Sequence, residues 1–151
     1  MQHIILFTKQ GLEKVEREYE ELILKRKDAV STLKRAREMG DLSENGLYRA
    51  AKFELGNIDR SIRRAKFFLA KGKIAQTAQK GIIGIGSIII VKDENGERKF
   101  NIVGDYESNP SENRISHISP LGKTLLNKKV GETIEIKTPS GKRTYKILNV
   151  S

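Results

Sequence analysis

The chain contains no cysteine, which excludes disulfides, cysteine-type zinc sites and thiol nucleophiles. It has no tryptophan, and aromatic residues make up only 6 % of it. Base stacking is therefore not its main means of holding nucleic acid, and its core must be lean. Its two histidines, His3 and His117, have no neighbouring ligand residues in sequence and read as surface or hydrogen-bonded side chains rather than catalytic ones. No apolar run approaches the roughly 20 residues that a membrane span requires. The opening Met1-Gln2-His3-Ile4-Ile5-Leu6-Phe7 is too short an apolar stretch for a signal peptide and lacks a basic leader. A cytoplasmic, monomeric protein that makes no membrane contact is expected.

Charge is plentiful. Of 151 residues 32 % are charged, and the formal net charge is +10. Such an excess marks contact with nucleic acid or with an acidic protein surface. It is spread along the chain: residues 1–75 carry 17 Lys/Arg against 11 Asp/Glu, and residues 76–151 carry 12 against 8.

The apolar pattern divides the chain in two. Thr8 is a good N-cap. After it, Leu12, Val15, Tyr19, Leu22, Ala29, Leu33 and Ala36 recur at spacings of three and four, with Arg26 in the one skipped slot. That is the seam of a coiled coil. The pattern stops at Met39-Gly40 and resumes with Leu47, Ala51, Leu55, Ile58, Ile62, Ala65 and Leu69. Two proline-free helices of about 30 and 25 residues, joined by a short polar turn, fold back most simply as an antiparallel hairpin. At about 1.5 Å per residue the first would be roughly 45 Å long, more than a small domain needs. Lys71-Gly72-Lys73 ends the second helix, and residues 74–81 read as a linker.

Beyond Gly81 the period changes. Ser87 to Val91 is a β-branched run, Asp93-Glu94-Asn95-Gly96 carries a hairpin signal, and Arg98 to Val103 is the returning strand. Gly104 to Arg114 reads as polar loop. Ser119-Pro120 starts a short helix through Leu126. Thr133 to Thr138 and Tyr145 to Val150 form a second hairpin across Pro139-Ser140-Gly141. The fold class is α+β: an N-terminal antiparallel α-helical coiled-coil domain over 1–75 with an acidic tip at 40–46, and an antiparallel β domain over 76–151.

The tip carries the chemistry. In Asp41-Leu42-Ser43-Glu44 two carboxylates three residues apart fall on one side of a turn. They can hold a hard cation such as Mg²⁺, weakly unless a partner adds ligands. A local role is the alternative: Asp41 or Ser43 caps the second helix and Glu44 favours its positive end. Both hold together if a capping acid still faces outward. Arg35, Arg37, Arg49 and Lys52 lie near the tip and Arg60, Arg63, Arg64 and Lys66 lie further on. They suit either a solvated face with i,i+4 pairs or contact with phosphates. Gly81-Ile82-Ile83-Gly84-Ile85-Gly86 has the wrong spacing for a nucleotide loop, and Gly122-Lys123-Thr124 lacks the upstream glycine, His117 standing there.

Arg37-Glu38-Met39-Gly40-Asp41-Leu42-Ser43-Glu44-Asn45, followed by Tyr48, Ala50-Ala51 and Lys52, resembles the tip of the bacterial GreA/GreB transcript cleavage factors. Ile102-Val103-Gly104-Asp105, Ile115 to Lys123 and Lys137-Thr138-Pro139-Ser140-Gly141 resemble that family's C-terminal domain. The resemblance spans nearly the whole chain and is closer to the GreA type, although so basic a surface is more typical of GreB. It departs at Gly46, where many members carry Ala, a change that loosens the helix start by about 0.5–1 kcal/mol.

The resemblance implies an FKBP-like C-terminal domain and binding to bacterial RNA polymerase, with the coiled coil entering the secondary channel. It implies that Asp41 and Glu44 are the two essential acids, with Ser43 beside them, acting in trans at the polymerase active centre on the nascent RNA 3′ end of a backtracked complex. Arg37 and Lys52 match basic positions facing the RNA, and Arg49 joins them. Two-metal hydrolysis needs one cation for the attacking water and one for the leaving oxygen. The acids would complete the shell of the second Mg²⁺, shared with the polymerase and not bound by the free protein. The chain is then an accessory factor rather than an enzyme. Two other functions compete: a channel-binding regulator without cleavage activity, against which the intact Asp41-x-x-Glu44 spacing argues, and a prolyl isomerase, against which it counts that the β domain has few aromatics (Phe100, Tyr106, Tyr145) to line a pocket.

Overall fold

Two apolar series at spacings of three and four, separated by a glycine and polar residues, dictate two helices. The computed structural model, which describes residues 3–40 and 45–151, forms both: α1 spans Lys9–Glu38 and α2 spans Gly46–Lys71. Thr8 caps α1, its Oγ1 accepting from the Gly11 amide at 3.0 Å. The seam is built from small residues. Ala29, Ala36, Ala51 and Ala65 are buried together with Ile58 and Ile62, and Tyr19, Leu22, Ile23 and Leu55 pack around the centre. Arg26, the polar residue in the skipped slot, meets Asp59 of α2 at 2.7 Å. A single charged pair at a seam position discriminates against slipped registers, while its partial exposure keeps its contribution to stability to about 0–1 kcal/mol. Leu47 departs from the expected seam and is 61 % exposed.

The strands of the second half form a five-stranded sheet in the order β5-β4-β3-β7-β6, with β3 Ile88–Asp93, β4 Gly96–Val103, β5 Arg114–Ser116, β6 Thr133–Thr138 and β7 Gly141–Val150. Every pairing is antiparallel except β4 with β5. The short helix α3, Pro120–Leu125, is capped by Ser119, whose Oγ accepts from the Gly122 amide at 3.0 Å. Leu125 of α3 joins Ile83, Ile89, Val91, Phe100, Ile102, Ile134, Tyr145 and Ile147 in one core. The α+β architecture read from the pattern is therefore present in both parts, the second being the expected β domain of the FKBP-like type.

Compact units divide the chain as Glu13–Gly72 and as Met1–Leu12 with Lys73–Ser151. The first dozen residues group with the β unit. The reason is a pair of strands too short to show periodicity: β1, Ile5–Phe7, pairs with β2, Gly72–Ile74, and the Phe7 carbonyl accepts from the Ala75 amide at 2.9 Å. Ile5 and Phe7 are fully buried.

The polar stretch from Gly104 to Arg114 is likewise more ordered than its composition suggests. Its organiser is Glu107, whose side chain is 5 % exposed. Its carboxylate accepts from the amides of Thr8 and Gly104, each at 2.8 Å, and from the Thr8 hydroxyl, and Arg114 stands 3.6 Å away. Gly11 is bare because a Cβ there would run into this carboxylate, and Gly104 because a Cβ there would run first into the Leu6 carbonyl oxygen and then into the same carboxylate.

Candidate functional site

The end of the hairpin is closed by one side chain. Asn45 is the N-cap of α2: its Oδ1 accepts from the Tyr48 amide at 3.1 Å. Its Nδ2 donates to the Ala36 carbonyl at 2.7 Å, in the last turn of α1. Each helix end leaves backbone groups without intrahelical partners, and this amide serves an orphan donor of one helix and a carbonyl of the other. Asp and Ser offer a carboxylate or a hydroxyl to a cap, but only the carboxamide combines an acceptor with a two-proton donor. The capping role that the sequence offered to Asp41 or Ser43 thus belongs to Asn45. Asp41, Ser43 and Glu44, the expected catalytic and Mg²⁺-holding residues, lie in the connection between the two helices, outside the described residues.

The basic positions are described. Arg37 of α1 stands over the Tyr48 ring of α2 at 5.9 Å, a cation–π contact that ties the two helix ends a second time. Lys52 is exposed one turn beyond Tyr48, so Arg37, Tyr48 and Lys52 share one side of the hairpin. Arg49 is also exposed, one residue round the helix from Tyr48. The structure therefore brings Arg37 and Lys52 together and sets Arg49 beside them.

Another side of this end is apolar. Thr32, Arg35, Ala36, Met39, Leu47, Ala50, Ala51 and Glu54 line a groove of about 460 Å³. The exposed Leu47 and Met39 belong to its wall. The sequence reading missed both this groove and the clasp. Asn45 directly before a helical run was a cap signal; the groove follows from alanines that leave shallow floors, which periodicity does not reveal.

Of the three aromatics weighed for prolyl isomerisation, Tyr106 is exposed. Phe100 and Tyr145 are both buried and pack edge-to-face at 6.1 Å within the core. His117 is satisfied by Asp105, to which its Nε2 is hydrogen-bonded. The glycine-rich stretch leads into β3, with Ile83 fully buried in the core. Among the described residues there is no group of three or more His, Cys, Asp or Glu that could hold a metal, and no helix is long and apolar enough to cross a membrane.

Known proteins match this chain along nearly its whole length. The family model described as "Transcription elongation factor, N-terminal" matches residues 5–74, and the one described as "Transcription elongation factor, GreA/GreB, C-term" matches residues 78–151. A transcription elongation factor GreA from Thermosipho melanesiensis is 39 % identical over 150 residues, covering 97 % of this chain and 96 % of the relative. One from Caldanaerobacter subterraneus subsp. tengcongensis is 40 % identical over 151 residues, with the same coverage. The solved structure of the transcription factor Gfh1 is 26 % identical, covers 99 % of both chains and superposes with a TM-score of 0.50. The chain belongs to the GreA/GreB family of transcription elongation factors.

Proposed function

We propose that this elongation factor binds bacterial RNA polymerase through the secondary channel and stimulates the polymerase's own cleavage of backtracked RNA. The observation that carries the reading is the division of labour at the hairpin end. Asn45 caps α2 and binds α1, so the cap falls to a residue other than Asp41, Ser43 and Glu44.

The donor set fits a hard cation. Two carboxylates of a connection only a few residues long are oxygen ligands of the kind Mg²⁺ takes, and two are too few to hold it without further oxygens. Asp41 and Glu44 would supply them to an ion shared with the polymerase, and the ion would polarise the scissile phosphate and stabilise the leaving oxygen. Ser43, hydroxyl-bearing and between the acids, orients the attacking water. Arg37 and Lys52, on one side of the hairpin, neutralise phosphates of the extruded RNA 3′ end, and Arg49 adds charge beside them. The Asn45 clasp and the Arg37–Tyr48 contact tie together the two helix ends that flank the acids in sequence. Hydrolysis belongs to the polymerase active centre, and the chain acts as a cofactor in trans.

The test is an artificially backtracked elongation complex to which the protein is added. Release of short 3′ RNA fragments, dependent on Mg²⁺, supports the reading. Inhibited elongation with no cleavage at any Mg²⁺ concentration would replace it with a channel-binding regulator.

A further inference from the structure

The face of α2 turned away from the seam has its own pattern. The seam uses Ala51, Leu55, Ile58, Ile62, Ala65 and Leu69; in between, at the same three-and-four spacing, run Arg49, Phe53, Gly56, Arg60, Arg63 or Arg64, Phe67 and Lys71. Residues so spaced line one stripe of a helix. The stripe contains no carboxylate. The two acids of α2 lie off it: Asp59 faces Arg26 across the seam and Glu54 lines the groove. Its two phenylalanines are exposed, Phe53 by 68 % and Phe67 by 48 %. Arg60 is hydrogen-bonded to the neutral Asn57, and Arg64 stands over the Phe68 ring at 5.2 Å.

Gly56 sits in the middle of this stripe, and the fold does not account for it. Its φ is not in the left-handed region, and a Cβ there would meet nothing but the tip of Arg60 at 3.6 Å. A glycine weakens a helix interior; here it leaves bare backbone at the centre of a solvent face, where an outside surface can come close.

We infer that this stripe is a docking surface for a carboxylate-rich protein face bearing apolar pockets, and that the polymerase supplies it. The inference rests on the proposed function and adds which side of the hairpin meets the partner. Charge complementarity selects an acidic occupant. The aromatics select protein over single-stranded RNA. Phe53 and Phe67 are about 21 Å apart at roughly 1.5 Å per residue, too far to stack neighbouring bases, whereas aromatic residues, Phe among them, and Arg are enriched in protein interfaces. Arginine forks match carboxylates two bonds at a time.

The experiment measures binding of the full-length protein to bacterial core RNA polymerase across a salt series, and separately to a single-stranded RNA oligonucleotide. The variants are Arg60→Glu/Arg64→Glu, Phe53→Ala/Phe67→Ala and, as a control elsewhere on the hairpin, Lys27→Glu. All changed side chains are exposed, and helical circular dichroism checks the fold. The expected result is about a tenfold or greater loss of polymerase affinity for each stripe variant. The Arg pair should flatten the salt dependence and the Phe pair should leave its slope unchanged, with Lys27→Glu within about twofold of the parent. Equal losses from Lys27→Glu and the Arg pair would reduce the effect to net charge and overturn the inference. So would unchanged polymerase affinity in both stripe variants, or loss of RNA-oligonucleotide affinity alone. If the parent protein itself fails to bind polymerase, the proposed function falls first, which separates the two failures.

Discussion

Replacing Asn45 by Ala should unfasten the end of the hairpin, and the size of the effect can be worked out from two bonds. Loss of a side-chain N-cap costs about 1 kcal/mol, here the bond to the Tyr48 amide. Loss of the bond to the Ala36 carbonyl adds about 0.5–1 kcal/mol, at the lower end because Asn45 is only half-buried and water can replace it. The sum, about 1.5–2 kcal/mol, corresponds to roughly ten- to thirtyfold in a local equilibrium. Asn45→Asp separates the two bonds, since a carboxylate still caps α2 but cannot donate to Ala36. It should cost about half as much. Amide hydrogen exchange reads the site directly: in Asn45→Ala the Tyr48 amide should exchange about ten to thirty times faster, while the amides of Ile58 and Ile62 in the middle of the hairpin change little. Unchanged protection at Tyr48 in Asn45→Ala would refute the clasp, and an Asp variant as damaged as the Ala variant would refute its division into two bonds.

Three further outcomes follow from the packing. Ile62→Ala should lower the stability of the helical unit by about 2–4 kcal/mol, seen as an earlier helical melting transition, because among the described residues Ile62 and Ile58 are the large side chains buried in that seam. Arg26→Leu should change stability by no more than about 1 kcal/mol yet weaken register specificity, which disulfide trapping between cysteines introduced across the seam would reveal as mixed pairings. Glu107→Ala should destabilise the β unit by about 2–4 kcal/mol, because it strips the Thr8 and Gly104 amides of their acceptor. Glu107→Gln, which keeps one oxygen acceptor, should recover part of that loss in a denaturant titration.

Long elements with strong periodicity were legible. Both helices, the Thr8 and Ser119 caps and the two hairpins of the sheet follow from spacing and turn chemistry, because those signals act within a few residues. What was not legible depends on partners far away in sequence. Strands β1 and β2 are three residues each and exist only because each supplies the other's hydrogen bonds. β5 is a parallel neighbour of β4 that begins where a stretch of loop-like composition ends, and Glu107 lies within that stretch. At the candidate site the basic residues were identified by type, but their sharing of one side comes from Arg37 reaching Tyr48 across the hairpin. Asn45 was hidden by its neighbours: next to Asp41, Ser43 and Glu44 it was the least conspicuous polar residue, and it took the cap because only an amide could serve both helix ends.

The central claim is that Asp41 and Glu44 lend a Mg²⁺ ligand pair to the polymerase. Its most direct measurement is the Mg²⁺ dependence of RNA cleavage in a backtracked complex, for the parent protein and for Asp41→Asn/Glu44→Gln, with polymerase affinity determined in parallel. The account predicts that the variant binds as tightly as the parent while stimulated cleavage falls by about a hundredfold or more, the range covered by loss of a few kcal/mol of charge stabilisation in the transition state, and that raised Mg²⁺ restores part of it. Parent-like cleavage by the variant at every Mg²⁺ concentration would contradict it.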